Sequence, residues 1–299
     1  RLLVPRNPKG VAILKSNVLG IVLGIGILGV LVITAEAQSS QSYVRYEQAG
    51  DISWGELSGT TIHQLSDAPY LGGRRTGRSV ASSNVVLKAP VAPSQIFMTA
   101  FNFRSHITGE PAIAGNTGRP AEYPGVFLVP ASSIIGPEEN IVRPHESQNL
   151  HYEAELVAVV GREATNVSLE DAPGYIFGVS AGNDVSERDW QAGDLQWSRA
   201  KGSRTFNAVG PHLVTGLDYG NLDIEGRHNG EHAQGQNSSD MLFNIDYMLH
   251  YISQYFTLYP GDLIWSGTMG TTQAMEPGDT YEVEVKGVGI LHNRVVQGM

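Results

Sequence analysis

Hydrophobic and polar positions change their rhythm twice along the chain. Val18–Ile33 (VLGIVLGIGILGVLVI) is a charge-free apolar run of 16 residues, preceded by Arg1, Arg6, Lys9 and Lys15 and followed by Ala35-Glu36-Ala37. A positive segment, an apolar stretch and a small-x-small site read as an export signal cleaved after Ala37. The run is just short of the roughly 18–20 residues that cross a bilayer comfortably, so an uncleaved membrane anchor is the competing reading. If neither is used, the protein stays cytoplasmic. From Tyr43 the pattern becomes short and β-leaning: Tyr43–Tyr46, Ile52–Trp54 and Thr60–His63 form a small meander that Leu71–Gly77 (LGGRRTG) interrupts. Val85–Val86 and Ala89–Pro93 lead into an apolar strand at Ile96–Phe101. Arg104–Tyr123 carries Gly109, Gly115, Gly118, Pro111 and Pro120 and reads as a long loop of the kind that often serves as a lid.

Further along, His151–Gly161 (HYEAELVAVVG) reads as one strong strand and Ser168–Phe177 as a short helix, with Ser168 as cap and Asp171 in the capping-box position. Met241, Leu242, Ile245, Leu249, Ile252 and Phe256 recur at helical spacing, which predicts one long amphipathic helix over 241–256 with Asp240 as its cap. Pro260-Gly261-Asp262 turns into a strand at Leu263–Trp265, and Tyr281–Lys286 with Ile290–Val296 flank Gly287-Val288-Gly289 as a closing hairpin. Strands dominate and helices are few, so the pattern predicts a β-rich α+β fold. The chain divides into a signal or anchor over 1–37, a small β-rich region over 38–94 and a main body over 95–299.

Composition removes several function classes. Of 299 residues, 20 are Lys or Arg and 30 are Asp or Glu, for a net charge of −10. Without residues 1–37 the remainder has 16 positive and 29 negative side chains, net −13. Nucleic acid is therefore not an expected partner, since phosphate binding needs clustered positive charge. Cysteine is absent, which excludes disulfides, thiolate catalysis and Cys-liganded zinc. Gly24-Ile25-Gly26-Ile27-Leu28-Gly29 satisfies G-x-G-x-x-G, but a phosphate-binding turn must open a helix with a polar face, and both flanks here are apolar.

The sharpest local signal is Glu153 and Glu155. Residues two apart in a strand share a face, so both carboxylates and His151 project together, with Val157 and Val159 continuing that face inward. An exposed acidic edge is the bland alternative, and the apolar continuation argues against it. Burying two carboxylates costs several kcal/mol each, on the order of magnitude, unless a cation or donors compensate. A hard divalent ion would do so, and oxygen ligation suits Mg²⁺ or Mn²⁺, with Ca²⁺ also acceptable. The third carboxylate is best sought at Asp184, where a β-like stretch breaks into the polar cluster Asn183-Asp184-Val185-Ser186-Glu187-Arg188-Asp189-Trp190-Gln191. Lys201 alone reads as a surface lysine.

Taken together, these segments resemble the fumarylacetoacetate hydrolase family. HYEAELVAVVG is similar to the family's E-x-E strand, GNDVSERDWQ to its Asp-containing motif and RAKGSRTFNAVGP to its lysine segment. HNGEHAQ, SSDMLF, TLYPGDLIWSGT and GVGILHNRV follow in family order. The resemblance runs from about Tyr43 to Val296 and implies mixed sheets in a sandwich or roll, with a homodimer as the working unit. It implies metal ligation by Glu153, Glu155 and Asp184, and substrate contacts from Arg188, Gln191, Lys201 and Thr268. Phe101-Asn102-Phe103-Arg104-Ser105-His106 is similar to the family's N-Y-x-x-H segment, whose His pairs with a lid Glu to activate water. Here that Glu is Glu110, four residues after the His rather than three. The common G-T-P-x-G-V segment appears as Gly267-Thr268-Met269-Gly270-Thr271-Thr272.

The activity implied is metal-assisted chemistry on a 2-oxo or 1,3-diketo acid such as an acylpyruvate. The ion would stabilise the enolate formed when a C–C bond breaks. Lys201 and Arg188 would offset substrate charge, and His106 with Glu110 would deprotonate the attacking water. Hydrolysis of the C–C bond is the first expectation; decarboxylation or isomerisation of a 2-oxo dicarboxylic acid would use the same site. A secreted metal- or oxo-acid-binding protein without turnover is the reading from another class, against which the joint presence of His106, Glu110 and Lys201 argues.

Overall fold

The central strand Ala154–Val160 is fully buried on both faces, and its alternation divides the interior in two. This computed structural model describes residues 39–299, so the apolar run 18–33 and the expected cleavage site after Ala37 lie outside the described residues. Leu156, Ala158 and Val160 belong to the larger core, together with Ile245, Met248, Leu249 and Ile252 of a helix and Val283, Val285, Leu291 and Val295 of a second sheet. Val157 and Val159 face the other way, into a core with Trp265, Ile96, Met98, Tyr70 and Val91. Period-two alternation thus seats one strand between two apolar layers.

Among the described residues the main sheet has twelve strands. Its path runs Arg75–Ala81, Thr61–Leu65, Asp51–Ser58, Gln41–Gln48, Asn207–Thr215, Ile176–Asp184, Ala154–Val160, Leu263–Trp265, Ile96–Ala100 and Gly125–Val129, with Val86–Lys88 and Ile134–Ile135 paired off this path. The amino-terminal meander joins the body where Gln41–Gln48 pairs antiparallel with Asn207–Thr215. A second sheet of five strands orders Glu231–Asn237, Asp223–His228, Thr280–Val285, Gly289–Gln297 and Ile141–Arg143. Its central hairpin is the expected closing one, registered from Thr280 opposite Arg294 to Val285 opposite Gly289. Mixed sheets with short helices give the β-rich α+β class expected from the sequence.

Several elements differ from expectation for local physical reasons. The helix spans Ile245–Ser253, not 241–256, and its cap is Asn244, whose side chain accepts from the Tyr247 N–H at 2.8 Å. Asp240 instead ends a 3₁₀ turn at Ser238–Asp240. The intervening residues are tied elsewhere: Leu242 N–H donates to the Asn102 carbonyl and Phe243 N–H to Asn102 Oδ1, both at 2.8 Å. Ser168 does accept from the Asp171 N–H at 3.1 Å, but only a 3₁₀ turn at Ala172–Tyr175 follows, because Pro173 lacks a donor and Ile176 already enters a strand. The segment Arg104–Tyr123 begins as a helix, Arg104–Gly109. Finally, His151–Gly161 is two strands, Leu150–His151 and Ala154–Val160. The first pairs with Ser186–Glu187 in a small sheet of its own, and the break places Glu153 at the junction.

Candidate active site

The break before Ala154 lets two carboxylates of adjacent strands converge. Glu153 N–H donates to Asn183 Oδ1 at 2.9 Å, and Asp184 N–H donates to the Glu153 carbonyl at 3.0 Å, which fixes the end of each strand against the other. Glu153, Glu155 and Asp184 are 3%, 1% and 2% exposed, and each offers a ligand atom within 4.8 Å of the others. The short helix Ser198–Gly202 brings Lys201 beneath them; its Nζ donates to Glu153 Oε2 and to Asp184 Oδ2, both at 2.6 Å. A lysine that reads as a surface residue in isolation is thus 4% exposed. Arg188 heads the helix Arg188–Gly193, which Glu187 caps by accepting from the Trp190 N–H at 2.7 Å. Its Nη2 donates to Glu153 Oε1 at 2.5 Å and to Thr272 Oγ1 at 3.0 Å, and its Nη1 to Gln191 Oε1 at 2.9 Å. The buried Nε of Arg188 has no hydrogen-bond partner among the described residues.

Two cations face three carboxylates, and the imbalance governs protonation. Burial works most strongly against ionising Glu153, but Lys201 and then Arg188 outweigh it and hold that carboxyl well below the usual range. Asp184 is pushed up to about 7, by burial first, with Lys201 opposing and Glu153 reinforcing the rise. Glu155 is raised well above the ordinary carboxylate value by burial and by the charges of Asp184 and Glu153. Among the described residues Glu155 takes one hydrogen bond, from the Gly267 N–H at 2.8 Å. Gly267 has φ of +77° there, and a Cβ would sit 2.8 Å from the Thr99 carbonyl, so glycine is needed for this donor to reach. Clustered oxygen donors with unmet charge suit a hard divalent cation.

His106, in the helix Arg104–Gly109, is buried, with Nδ1 2.8 Å from the Gly270 carbonyl and Nε2 3.9 Å from Glu153 Oε1. A carbonyl only accepts, so Nδ1 carries the hydrogen and Nε2 keeps its lone pair. Burial holds this imidazole below its usual pKa, with Glu153 opposing that shift. Glu110 is not brought to His106. Its Oε1 accepts from Thr272 N–H at 2.5 Å and Thr272 Oγ1 at 3.1 Å, and no hydrogen bond joins it to the imidazole among the described residues. The extra residue before Glu110 carries it past His106 to the loop beyond. His151 also leaves the carboxylate cluster, bonding Thr272 Oγ1 at 2.8 Å and Asn149 Oδ1 at 2.7 Å; burial and Arg188 lower it to about 4. Thr268 donates to the Ala154 carbonyl at 3.0 Å.

A small cleft opens over these groups. Glu153, Lys201, Arg188, Gln191, His106 and Thr268 line its floor, and Thr99, Ala100, Phe101, Ile113, Phe127 and Trp197 its walls.

The family model described as fumarylacetoacetate (FAA) hydrolase C-terminal matches residues 95–296. The chain belongs to this hydrolase family. A second model, Rv2993c-like N-terminal, matches residues 42–90. Among similar proteins, Protein Rv2993c of Mycobacterium tuberculosis is 38% identical over 246 residues, 81% of this chain and 91% of the relative. The mitochondrial oxaloacetate tautomerase FAHD2A of Bos taurus is 36% identical over 227 residues, 72% of this chain and 70% of the relative. The crystal structure of 2-hydroxyhepta-2,4-diene-1,7-dioate isomerase from Mycobacterium marinum superposes with a TM-score of 0.78 at 33% identity, covering 86% of this chain and 98% of that one. The chain carries a buried acidic cluster suited to metal at the end of its central strands.

Sequence reasoning leaves several contributors unnamed. Asn207 Nδ2 reaches Asp184 Oδ1 at 3.3 Å and the Lys201 carbonyl at 3.2 Å, binding the lysine segment to the cluster. Gln234 Nε2 donates to Thr268 Oγ1 at 3.0 Å and to the Met269 carbonyl at 2.5 Å. Thr272 joins Arg188, His151 and Glu110. Asn207 and Gln234 lie inside the segments that carry the resemblance, and Thr272 in the segment that departs from it, so position was the available signal in each case.

Proposed function

We propose that the protein is a divalent-metal-dependent enzyme that moves a proton at the carbon beside the oxo group of a 2-oxo acid, a keto–enol tautomerase or isomerase. The observation that carries this reading is the neutral His106 imidazole lining the cleft, whose Nε2 takes no hydrogen bond among the described residues and whose expected partner Glu110 bonds Thr272 instead. Glu153, Glu155 and Asp184 are the residues that would hold Mg²⁺ or Mn²⁺. When bound, such an ion supplies Lewis-acid polarisation of the substrate's oxo group. Arg188, which lines the cleft, would receive the substrate's carboxylate, with Gln191 fixing the guanidinium. Lys201 offsets charge at the cluster floor, which Thr268 also lines. His106 Nε2 would accept the proton from the carbon beside the oxo group, the C–H pair becoming the C=C bond of the enol as the C=O π pair moves to the oxo oxygen, and the protonated imidazole would return the proton to that oxygen, so no C–C bond breaks.

Relatives at 36% and 33% identity are named as a tautomerase and an isomerase, which supports the same reading. Hydrolysis of a C–C bond, the first expectation from the resemblance, would require His106 to activate water with Glu110 beside it, and Glu110 lies on Thr272 instead. The resemblance also supports a homodimer, for which sedimentation of the purified chain is the check. The test of the activity is proton exchange: with Mn²⁺ or Mg²⁺ in D₂O, oxaloacetate or an acylpyruvate gains deuterium beside the oxo group, followed by NMR. Metal-dependent cleavage of the acylpyruvate in place of exchange would restore the hydrolase reading, and neither reaction would remove the proposal.

A further inference from the structure

The cleft's walls differ in kind from its floor. Phe127 meets Trp197 edge-on at 5.3 Å between ring centroids, Trp197 meets Phe101 edge-on at 6.0 Å, and Phe101 stacks over the His106 ring at 6.2 Å. Ile113, from the segment after the helix Arg104–Gly109, completes the wall. These side chains are half-buried, whereas Glu153, Lys201 and Gln191 beneath them are buried, so the apolar band stands at the mouth. Phe101 holds this place from φ of +53°, a conformation a bulky side chain rarely adopts, and the strand end at Ala100 has committed backbone to keep it there. Gly115, with φ of +87°, brings the segment after Ile113 close enough that a Cβ would lie 3.2 Å from the Trp197 ring.

The permanent cations lining the cleft are Arg188 and Lys201, and both face the carboxylate floor. They match one substrate carboxylate. A second carboxylate at the far end of the substrate would lie among aromatic rings without a counter-charge, which disfavours it relative to an apolar group that buries surface there.

From this division we infer that the protein selects 2-oxo monocarboxylic acids bearing an apolar or aromatic substituent over 2-oxo dicarboxylic acids, with Phe101 and Trp197 as the specificity-determining residues. The inference rests on the oxo-acid reading above and departs from the dicarboxylic substrates that its relatives' names carry.

Calorimetric titration of the full chain, loaded with Mn²⁺, with pyruvate, phenylpyruvate and 2-oxoglutarate separates the two. Phenylpyruvate should bind roughly tenfold or more tightly than 2-oxoglutarate, and more tightly than pyruvate. Trp197→Ala should lower phenylpyruvate affinity about tenfold and pyruvate affinity far less, and Trp197→Phe should recover most of the loss. Phe101→Arg supplies a counter-charge at the mouth and should raise 2-oxoglutarate affinity by about tenfold, a gain that a misfolded variant could not produce. Equal or tighter binding of 2-oxoglutarate by the wild-type chain, or equal losses for pyruvate and phenylpyruvate in Trp197→Ala, would overturn the specificity while leaving the oxo-acid reading intact. Absence of binding by all three, pyruvate included, would overturn both.

Discussion

A neutral imidazole whose Nδ1–H is committed to a carbonyl acts through Nε2 alone, and the Gly270 carbonyl imposes that commitment on His106. Its chemical role and the metal site should therefore separate under mutation. His106→Ala is expected to lower kcat by roughly 10²–10⁴ while leaving metal affinity nearly unchanged, as kinetics at saturating Mn²⁺ and calorimetry would report. Because burial lowers the imidazole's pKa, the base stays unprotonated to a lower pH than free histidine, and activity at saturating metal should fall only as pH drops through that lowered value. Glu153→Gln should do the reverse of His106→Ala, reducing Mg²⁺ or Mn²⁺ affinity by roughly a hundredfold or more, since it removes one of three charged donors. Unchanged affinity would remove the assigned site. The acidic pair was legible because two carboxylates preceding an apolar strand need a counter-charge. Lys201 was legible only through the family resemblance and not from its own surroundings, because its burial depends on a fold that returns 48 residues later in the chain to Glu153.

At the scale of elements, periodicity located the helix and closing hairpin but misplaced ends wherever a long-range contact had claim on the backbone. Asn102 illustrates this: its carbonyl and side chain hold Leu242 and Phe243 out of the helix, and no local pattern in 241–256 announces that. The same holds for the segment after His106, where the sequence suggested Glu110 would meet the imidazole and the structure bonds it to Thr272. That contact makes a chain from the lid segment through Thr272 to Arg188 and Glu153. If the chain orients Arg188, then Glu110→Gln and Thr272→Val should each lower kcat/KM by about tenfold, and the double variant should lose little more than either alone. Glu110→Gln should in addition leave the pH profile of His106 in place. Additive losses, or a displaced profile, would instead put Glu110 beside the imidazole during turnover.

For the whole molecule, composition and strand count gave the β-rich class, but not the strand order, since a twelve-stranded sheet that pairs residues as distant as Gln41 and Thr215 is set by pairing across the chain. No helix among the described residues is long and apolar enough to cross a membrane. The chain beginning at Gln38 is expected to fold and to match the full chain in activity, as thermal melting and kinetics would check. Stability as a whole should carry the signature of the buried carboxylates. Asp184 keeps its proton up to about pH 7, whereas in the unfolded chain it releases it near the ordinary aspartate value of about 3.9. Across that window the unfolded state binds fewer protons, so the metal-free protein should lose stability as pH rises, by a few kcal/mol at most (roughly). Glu155, also raised, acts with the same sign. Glu153 is depressed, so its contribution is fully present above the ordinary glutamate range and is lost only in stronger acid; it does not offset the trend. A divalent ion held by this cluster would displace the protons on Asp184 and Glu155, so affinity should climb as pH rises toward 7 and level off above it. At a hundredfold excess over Kd the ion adds about 2.7 kcal/mol to stability. Melting curves from pH 5 to 8 should therefore diverge, falling with EDTA and holding or rising with saturating Mn²⁺. Asp184→Asn should flatten both curves, and a gap between them that is independent of pH would show that these carboxyls do not titrate together with metal.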